Sequence, residues 1–411
     1  MSVRPEIVGL AGLPSQRVFD AVLASWQRGA CVALLAPQRI SECAQRVERC
    51  GGLRDALTIV DPESRLPACS EIDLDALPES ASCLFATSGS AGSEPKLAKL
   101  SARALLANAR RANARTAFGP TDNWLVPLSL HHVGGFGAFL RARIAGGRAV
   151  GGRALVESLC ADASITHCSL VPTQLYRLLH DAEHESDGAK LARFRSLKAV
   201  LLGGGASAAS LRTHALQLGV PLVVTYGLTE CASQVTTSVA HAHHEAADAG
   251  HALDGVRITI ADDGEILVGG ETVFDGYLAD GAICNPSTAR GFATGDRGRI
   301  TDDGRLLVEG RIGLSFKSGG EFVQPESVER ALLGLAGVRN AMLVDVADAE
   351  WGRIGVAFVD APRAVSRDEL RECLAPHELP KAILPWPSEW REWLKPSRVL
   401  GRTLAESLLG R

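Results

Sequence analysis

The segment KAVLLGGGASAASLRTHALQLGVPLVVTYGLTE, residues 198–230, decides the fold. Its apolar run Ala199–Leu202 halts at three glycines, a stretch of helical length (ASLRTHALQLG) follows, and the β-branched run PLVVTYG closes the unit. Short β-rich runs on either side of a helix-length segment form a βαβ unit. Its strands are parallel because the helix carries the chain back across the sheet.

The alternation recurs toward the N-terminus. FDAVLASWQRG places Phe19, Val22, Leu23 and Trp26 on one helical face and leads into CVALLAP at 31–37. CLFAT at 83–87 precedes SARALLANARRANA, with Ser101 placed to cap a helix, and CSLVP precedes TQLYRLLHDAEH. From Gln16 to about Thr236 the expectation is an α/β body with a mostly parallel sheet. After about Asp254, VRITIADDGEILVGG and GRITDDGRLLVEGR carry Asp-Asp-Gly turns between alternating runs, as hairpins do. From about Leu314 a small α+β unit is expected: FVQPESVERALLGL as a helix with Pro325 in its first turn, VRNAMLVDVAD and RIGVAFVD as strands, and a capping box of Ser366 and Glu369 in SRDELRECLA.

The chain has 411 residues, 46% apolar and 22% charged, the balance of a soluble globular protein. With 43 basic against 47 acidic residues the net charge of −4 offers no bulk attraction to nucleic acid. No run approaches the roughly 18 apolar residues of a membrane span, and the opening MSVRPEIVGLAGLPS lacks the pattern of a secretory signal. Ten cysteines, scattered from Cys31 to Cys373 without a C-x-x-C pair, read as small core residues of a reduced, cytoplasmic protein.

Chemistry concentrates in four stretches. The loop Thr87-Ser88-Gly89-Ser90-Ala91-Gly92, continuing to Lys96, offers backbone N–H groups, hydroxyls and a cation to an anion such as a polyphosphate, though without the G-x-x-x-x-G-K-[ST] spacing of a P-loop. TYGLTE, 225–230, brings an aromatic face at Tyr226, a hydroxyl at Thr229 and a carboxylate at Glu230 suited to Mg²⁺. Asp296 in TGD suits paired ribose hydroxyls, and Arg311 in EGRIG adds a polar contact to the sugar.

The ordered set TSGSAGSEPK, PLSLHHVGG, LLGGGAS, TYGLTE, GEILVGGETVFDGY, TGD, GRIGLSFKSGGEFVQPESVE and LKPSR resembles the adenylate-forming acyl-CoA synthetases, a family that includes luciferases and nonribosomal adenylation domains. The resemblance runs from about residue 20 to the end. It implies an N-terminal AMP-binding and acyl-substrate domain at 1–312, an α/β body with a β-rich subdomain, and a small mobile C-terminal α+β domain at 313–411 hinged near Gly313. By the same resemblance Thr87 to Gly92 and Lys96 handle the β and γ phosphates. Gly204, Gly205, Tyr226 and Gly227 belong to the ATP site, Tyr226 and Gly227 beside the adenine. Thr229 meets the α-phosphate, Glu230 holds Mg²⁺, and Asp296 and Arg311 hold the ribose. Lys395 corresponds to the mobile lysine that bridges carboxylate and α-phosphate, where a cation offsets charge building in the transition state. Ser318, Gly319 and Gly320 are implied to approach the site for CoA thiolation. The implied substrates and cofactors are a small carboxylic acid, ATP, Mg²⁺ and CoA, with a homodimer allowed.

Three departures from the family pattern stand out. The phosphate loop has an extra residue before its proline (Ser93-Glu94), glycine occupies hinge position 313 where aspartate is common, and the segment before residue 87 is short.

PLSLHHVGGFGAFLRARIAGG, SLVPTQLYRLL, YGLTECASQVTT, SGGEFVQPESVERAL and the LKPSR context lean toward the 2-succinylbenzoate–CoA ligases of menaquinone and phylloquinone synthesis. His132, Gly134, Gly135, Ser233 and Gln234 would then line the acyl pocket, the glycines leaving room for an aromatic acid and the polar groups meeting its second carboxylate. His132 is also a catalytic candidate; the alternative is a packed histidine at a glycine turn. Another aryl or short- to medium-chain acid, transfer to a carrier protein, and a non-catalytic nucleotide-binding homologue remain open. HAHHE at 241–245 reads as a variable loop rather than a zinc site, Arg110-Arg111 as a solvated helix face, and Trp386, Trp390 and Trp393 as a packed helical stripe.

Overall fold

A computed structural model describes residues 7–11, 16–36, 45, 47, 58–59, 72–87, 96–151, 155–184, 188–205, 207, 209–240, 247–392 and 397–410. The segment 198–230 folds as its pattern demands. Strands Ala199–Leu202 and Leu222–Tyr226 run parallel, with Val223 beside Leu201, and helix Ala209–Gln217 connects them. The strand Ala199–Leu202 is buried along its whole length, as a central parallel strand must be. Strands His167–Leu170, Asn123–Val126 and Arg148–Gly151 extend the parallel array in that order. The chain moves outward from Asn123–Val126 to Arg148–Gly151 and then returns to His167–Leu170. Connections therefore diverge at the carboxyl ends of Asn123–Val126 and His167–Leu170, where α/β sheets open a binding crevice.

The same sheet continues on the other side of Leu222–Tyr226 as antiparallel strands Thr236–Thr237, Asp248–Ala252, Arg305–Arg311, Phe292–Ile300, Glu265–Gly269 and Arg257–Ile260. Both expected hairpins form, with left-handed glycines at Gly264 and Gly304 closing their turns. The switch to antiparallel pairing starts at Thr236, where the α/β body was expected to end, with a strand, Thr236–Thr237, too brief to register as a pattern.

A second sheet orders Ala282–Cys284, Gly276–Ala279, Leu97–Ser101, Ser82–Ala86, Cys31–Leu35, Ile7–Ala11 and Thr58–Ile59. Leu97–Ser101, which the sequence reading left unassigned, is antiparallel to Ser82–Ala86, and Ser101 caps helix Ala102–Thr116 through the Ala104 N–H. Residues 88–95 therefore link two paired strands, rather than a strand to a helix. Between the sheets Phe136 meets Phe19, Trp26 and Phe85 at ring separations of 5.5, 5.6 and 5.7 Å. That cluster seats helices Gln16–Gln27 and Val133–Ala145 in one core.

The C-terminal part has its own sheet: Glu321–Val323, Phe316–Ser318, Gly352–Asp360 and Asn340–Asp348, with Ala382–Pro385 beside Gly352–Asp360. Pro325 opens helix Pro325–Leu333. Both oxygens of buried Glu329 accept from Arg398, at 2.5 and 2.8 Å, tying helix Arg398–Leu408 to that helix.

Four expectations change. The Ser366–Glu369 box forms its reciprocal bonds but caps only a 3-10 turn, Asp368–Leu370. Trp386 and Trp390 pack edge to face at 5.3 Å, yet Trp390 lies in a 3-10 turn and Trp386 outside any helix; Trp393 is outside the described residues. Arg110 keeps its solvated place, beside exposed Asp75, but Arg111 is mostly covered and ion-paired with Glu271. Cys31, Cys83, Cys168 and Cys231 are core residues, but Cys160, Cys284 and Cys373 are exposed.

Candidate active site

The candidate residues gather along the seam where parallel pairing gives way to antiparallel. Tyr226 ends the last parallel strand, and Gly227 carries the chain into the 3-10 turn Thr229–Cys231. The chain then doubles back, so that Ser233 N–H bonds Leu228 carbonyl and Val235 N–H bonds Tyr226 carbonyl. A Cβ at Gly227 would lie 1.5 Å from the Ser233 carbonyl oxygen, which makes glycine obligatory for this fold-back. Ala232 and Ser233 adopt positive φ, 57° and 104°, costly for residues with side chains. Asn108, buried on helix Ala102–Thr116, donates to the carbonyls of Cys231 and Gln234 at 3.3 and 2.6 Å and clamps the loop.

Asp296 and Arg311 face each other across the Phe292–Ile300 and Arg305–Arg311 hairpin and pair at 2.8 Å. The other Asp296 oxygen accepts from the Tyr226 hydroxyl at 2.6 Å. Burial lifts the Asp296 pKa while Arg311 and Tyr226 pull it down, and burial with the Asp296 charge pushes the Tyr226 phenol up. The phenol therefore stays a donor at neutral pH. This joins the expected adenine and ribose residues in one bonded unit.

Glu230 accepts from the Tyr277 hydroxyl at 2.7 Å, and the Lys96 ammonium lies 4.8 Å from the Tyr277 ring centroid. Lys96 is fixed at its backbone, where its carbonyl accepts the Thr87 N–H at 2.8 Å. Thus Lys96, at one end of the expected phosphate loop, and the metal candidate Glu230 both meet the Tyr277 side chain. Among the described residues no three His, Cys, Asp or Glu side chains cluster as a metal cage. A single carboxylate still fits Mg²⁺, which typically takes one or two carboxylates and completes its shell with phosphates and water. Ser88 to Gly92 and Lys395 lie outside the described residues, as does HAHHE. Gly204 and Gly205 follow strand Ala199–Leu202, and nothing lies within 4 Å of a Cβ built on Gly205.

Among the residues expected on the acyl side, His132 and its neighbour His131 follow strand Asn123–Val126 at the diverging connections, their rings 4.3 Å apart. Burial lowers both imidazoles, His131 to about 4, so both are neutral at pH 7. Gly134 has only Leu128 near its Cβ position, at 3.9 Å. A Cβ on Gly135 would strike the Ser129 carbonyl oxygen at 2.2 Å, so that glycine serves the chain's own turn rather than room for an acid. Gln234 is buried, its Oε1 accepting from Thr237 and its Nε2 unpartnered among the described residues. Ser318 is buried in its strand and Gly319 packs on Trp351, in the C-terminal sheet.

Sequence reading missed Tyr277, Asn108 and Arg141. Arg141 is 1% exposed on helix Val133–Ala145, over the Trp124 ring at 4.5 Å, and its Nε and Nη1 have no hydrogen-bond partner among the described residues. Nη1 and the Ser233 hydroxyl lie 3.7 and 4.0 Å from the Cβ position of Gly137. The signal was an arginine amid the apolar GGFGAFLRARIA, where a charge has no reason to be buried without a partner.

The AMP-binding enzyme family profile matches residues 14–278. This chain belongs to the AMP-binding enzyme family. Among relatives in that family, a Salmonella typhimurium 2-succinylbenzoate–CoA ligase is 38% identical over 309 residues, covering 74% of this chain and 64% of its own length. The Escherichia coli 2-succinylbenzoate–CoA ligase is 34% identical over 351 residues, covering 83% of this chain and 74% of its own. The chain thus spans about two thirds of the first relative's length. A solved family structure, an Escherichia coli MenE variant with bound OSB-AMS, superposes with a TM-score of 0.79 at 29% identity, covering 98% of this chain and 88% of its own. Along this seam Tyr226 supplies an aromatic ring bonded through its hydroxyl to the Asp296–Arg311 pair, and Lys96 supplies a cation beside Tyr277. Among the described residues no helix is long and apolar enough to cross a membrane.

Proposed function

We propose that the chain is an ATP-dependent acid–CoA ligase that works through an acyl-adenylate, with 2-succinylbenzoate as its acid. The relatives named 2-succinylbenzoate–CoA ligase and the MenE structure with OSB-AMS support this reading. The observation that carries the choice of acid is Arg141. A buried guanidinium keeps its charge at neutral pH and is costly without an anion. A dicarboxylate presents one carboxylate to ATP and leaves a second for Arg141 and Ser233.

In the first half-reaction a carboxylate oxygen bonds to the α-phosphorus of ATP, and pyrophosphate leaves with the electron pair of the bridging bond. In the second, the CoA thiolate attacks the carbonyl carbon of the mixed anhydride, and AMP departs. Tyr226 and Gly227 take the adenine, Asp296 and Arg311 the ribose hydroxyls, Thr229 the α-phosphate, and Thr87 to Gly92 with Lys96 the phosphate tail. Mg²⁺ held by Glu230 and phosphate oxygens would offset the tail's charge. Lys395 supplies the cation for the bridging carboxylate, and the part after Gly313 turns between half-reactions, bringing Ser318 to Gly320 toward the thioester step. The seven described cysteines are unpaired, consistent with a reducing, cytoplasmic setting.

The test is AMP release with CoA and 2-succinylbenzoate, benzoate, malonate or medium-chain fatty acids. Turnover only with an acid other than succinylbenzoate would remove the substrate while leaving the ligase. Arg141→Gln should raise KM for succinylbenzoate at least about tenfold, as expected for one lost charged contact, with little change for a slowly used monocarboxylate. Equal KM effects on both acids would remove Arg141 from the second-carboxylate role.

A further inference from the structure

Tyr277 touches two oppositely charged side chains at once. Its hydroxyl donates to Glu230 Oε1 at 2.7 Å, and the Lys96 ammonium lies over its ring at 4.8 Å. Phe274 meets the ring edge to face at 4.8 Å, and backbone pairing with Ala98 fixes the strand that carries it. The Phe274 N–H also bonds the Glu230 carbonyl at 2.8 Å, so glutamate and tyrosine share one support. Among the described residues Tyr277 is the only side chain hydrogen-bonded to the Glu230 carboxylate.

The Lys96 ammonium over the ring face and the Glu230 carboxylate at the ring's hydroxyl are opposite charges that attract one another. Without the ring they would close into a direct ion pair, neutralising both the cation needed by the phosphate tail and the carboxylate needed by the metal. We infer that Tyr277 is a positioning residue with two actions: its hydroxyl orients Glu230 toward a divalent cation, and its ring keeps Lys96 from pairing with that carboxylate. This rests on the roles of Glu230 and Lys96 proposed above.

The experiment titrates the full chain with Mn²⁺, followed by electron paramagnetic resonance, with α,β-methylene-ATP present. Binding of the nucleotide without metal is measured in parallel. Tyr277→Phe keeps the ring, so Mn²⁺ affinity should fall about tenfold, as for other lost supports of metal ligands, while metal-free nucleotide affinity stays within about twofold. Tyr277→Ala should weaken both. Adding Lys96→Met to Tyr277→Ala should return Mn²⁺ affinity toward the Tyr277→Phe value, because the competing ammonium is gone. Wild-type Mn²⁺ affinity in Tyr277→Phe would overturn the orienting action. Undiminished metal-free nucleotide affinity in Tyr277→Ala, or no recovery in the double variant, would overturn the spacing action. Glu230→Gln separates the levels: unchanged Mn²⁺ affinity there would end the metal assignment itself, and the tyrosine's part with it.

Discussion

A Cβ at Gly227 would sit 1.5 Å from the Ser233 carbonyl oxygen, whereas one at Gly205 meets nothing within 4 Å. The two glycines look alike in sequence, each following a strand of the same βαβ unit, yet only one is required by packing. Gly227→Ala must displace the Tyr226–Ser233 backbone and should cost about 3 kcal/mol or more in chemical denaturation, at or beyond the upper range for overpacking. Gly205→Ala should stay within about 0.5 kcal/mol. Similar losses in both would mean that the fold-back is not what constrains position 227. Arg141 belongs to the same scale. Its buried guanidinium stacks on Trp124 but leaves Nε and Nη1 without hydrogen-bond partners among the described residues, the feature on which the proposed second-carboxylate contact rests.

Helix Val133–Ala145 begins directly after His131 and His132, so both imidazoles lie at the positive end of its dipole as well as beside each other. Burial first and then His132 lower the His131 pKa from 6.5 to about 4. The unfolded chain therefore binds a proton that the folded one refuses. The stability contributed by neutral His131 is complete above about pH 6.5 and is lost as pH falls through 4. His131→Gln should flatten the decline of Tm between those pH values, measured by calorimetry; an unaltered slope would assign the decline to other groups. The loop proposed to hold the phosphate tail is also an element-scale feature. Its ends are pinned by antiparallel pairing of Ala86 with Leu97, and strand Gly276–Ala279 pairs alongside, which brings Tyr277 to Lys96.

Across the whole molecule, helix Pro325–Leu333 and its leading residues rest on strand Arg305–Arg311. Gln324 donates to the Arg311 carbonyl at 2.9 Å, Glu326 accepts the Arg311 N–H at 3.3 Å, and Arg330 donates to the Glu309 carbonyl at 2.8 Å. The strand that ends at Arg311 thus carries the C-terminal sheet's helix on its backbone. Any turn about Gly313, where a Cβ would meet nothing within 4 Å, must break those bonds. If the two half-reactions use different arrangements, Lys395 matters in one of them. Lys395→Ala should lower adenylation by roughly 10²–10³-fold, the loss typical of one missing oxyanion donor. Thioester formation from supplied acyl-adenylate should persist, and equal loss in both half-reactions would refute the assignment.

Local pattern was enough for the βαβ series, the Asp-Asp-Gly hairpins, the Ser101 cap and the Pro325 helix start, because each depends on residues within a few positions of one another. The family motifs likewise named Tyr226, Glu230, Asp296, Arg311 and Lys96 one by one. What joins them was not legible. The Tyr226–Asp296 bond spans 70 residues and the Tyr277–Glu230 bond 47, while strand Leu97–Ser101 exists by virtue of its partners at 82–86 and 276–278. Asn108 and Tyr277 are unremarkable letters in their own helix and strand, and Arg141, though odd in an apolar run, becomes informative only through what surrounds it. Periodicity and turn chemistry act over a few residues, but a buried group is defined by whether a partner from elsewhere in the chain reaches it, and only tertiary packing decides that.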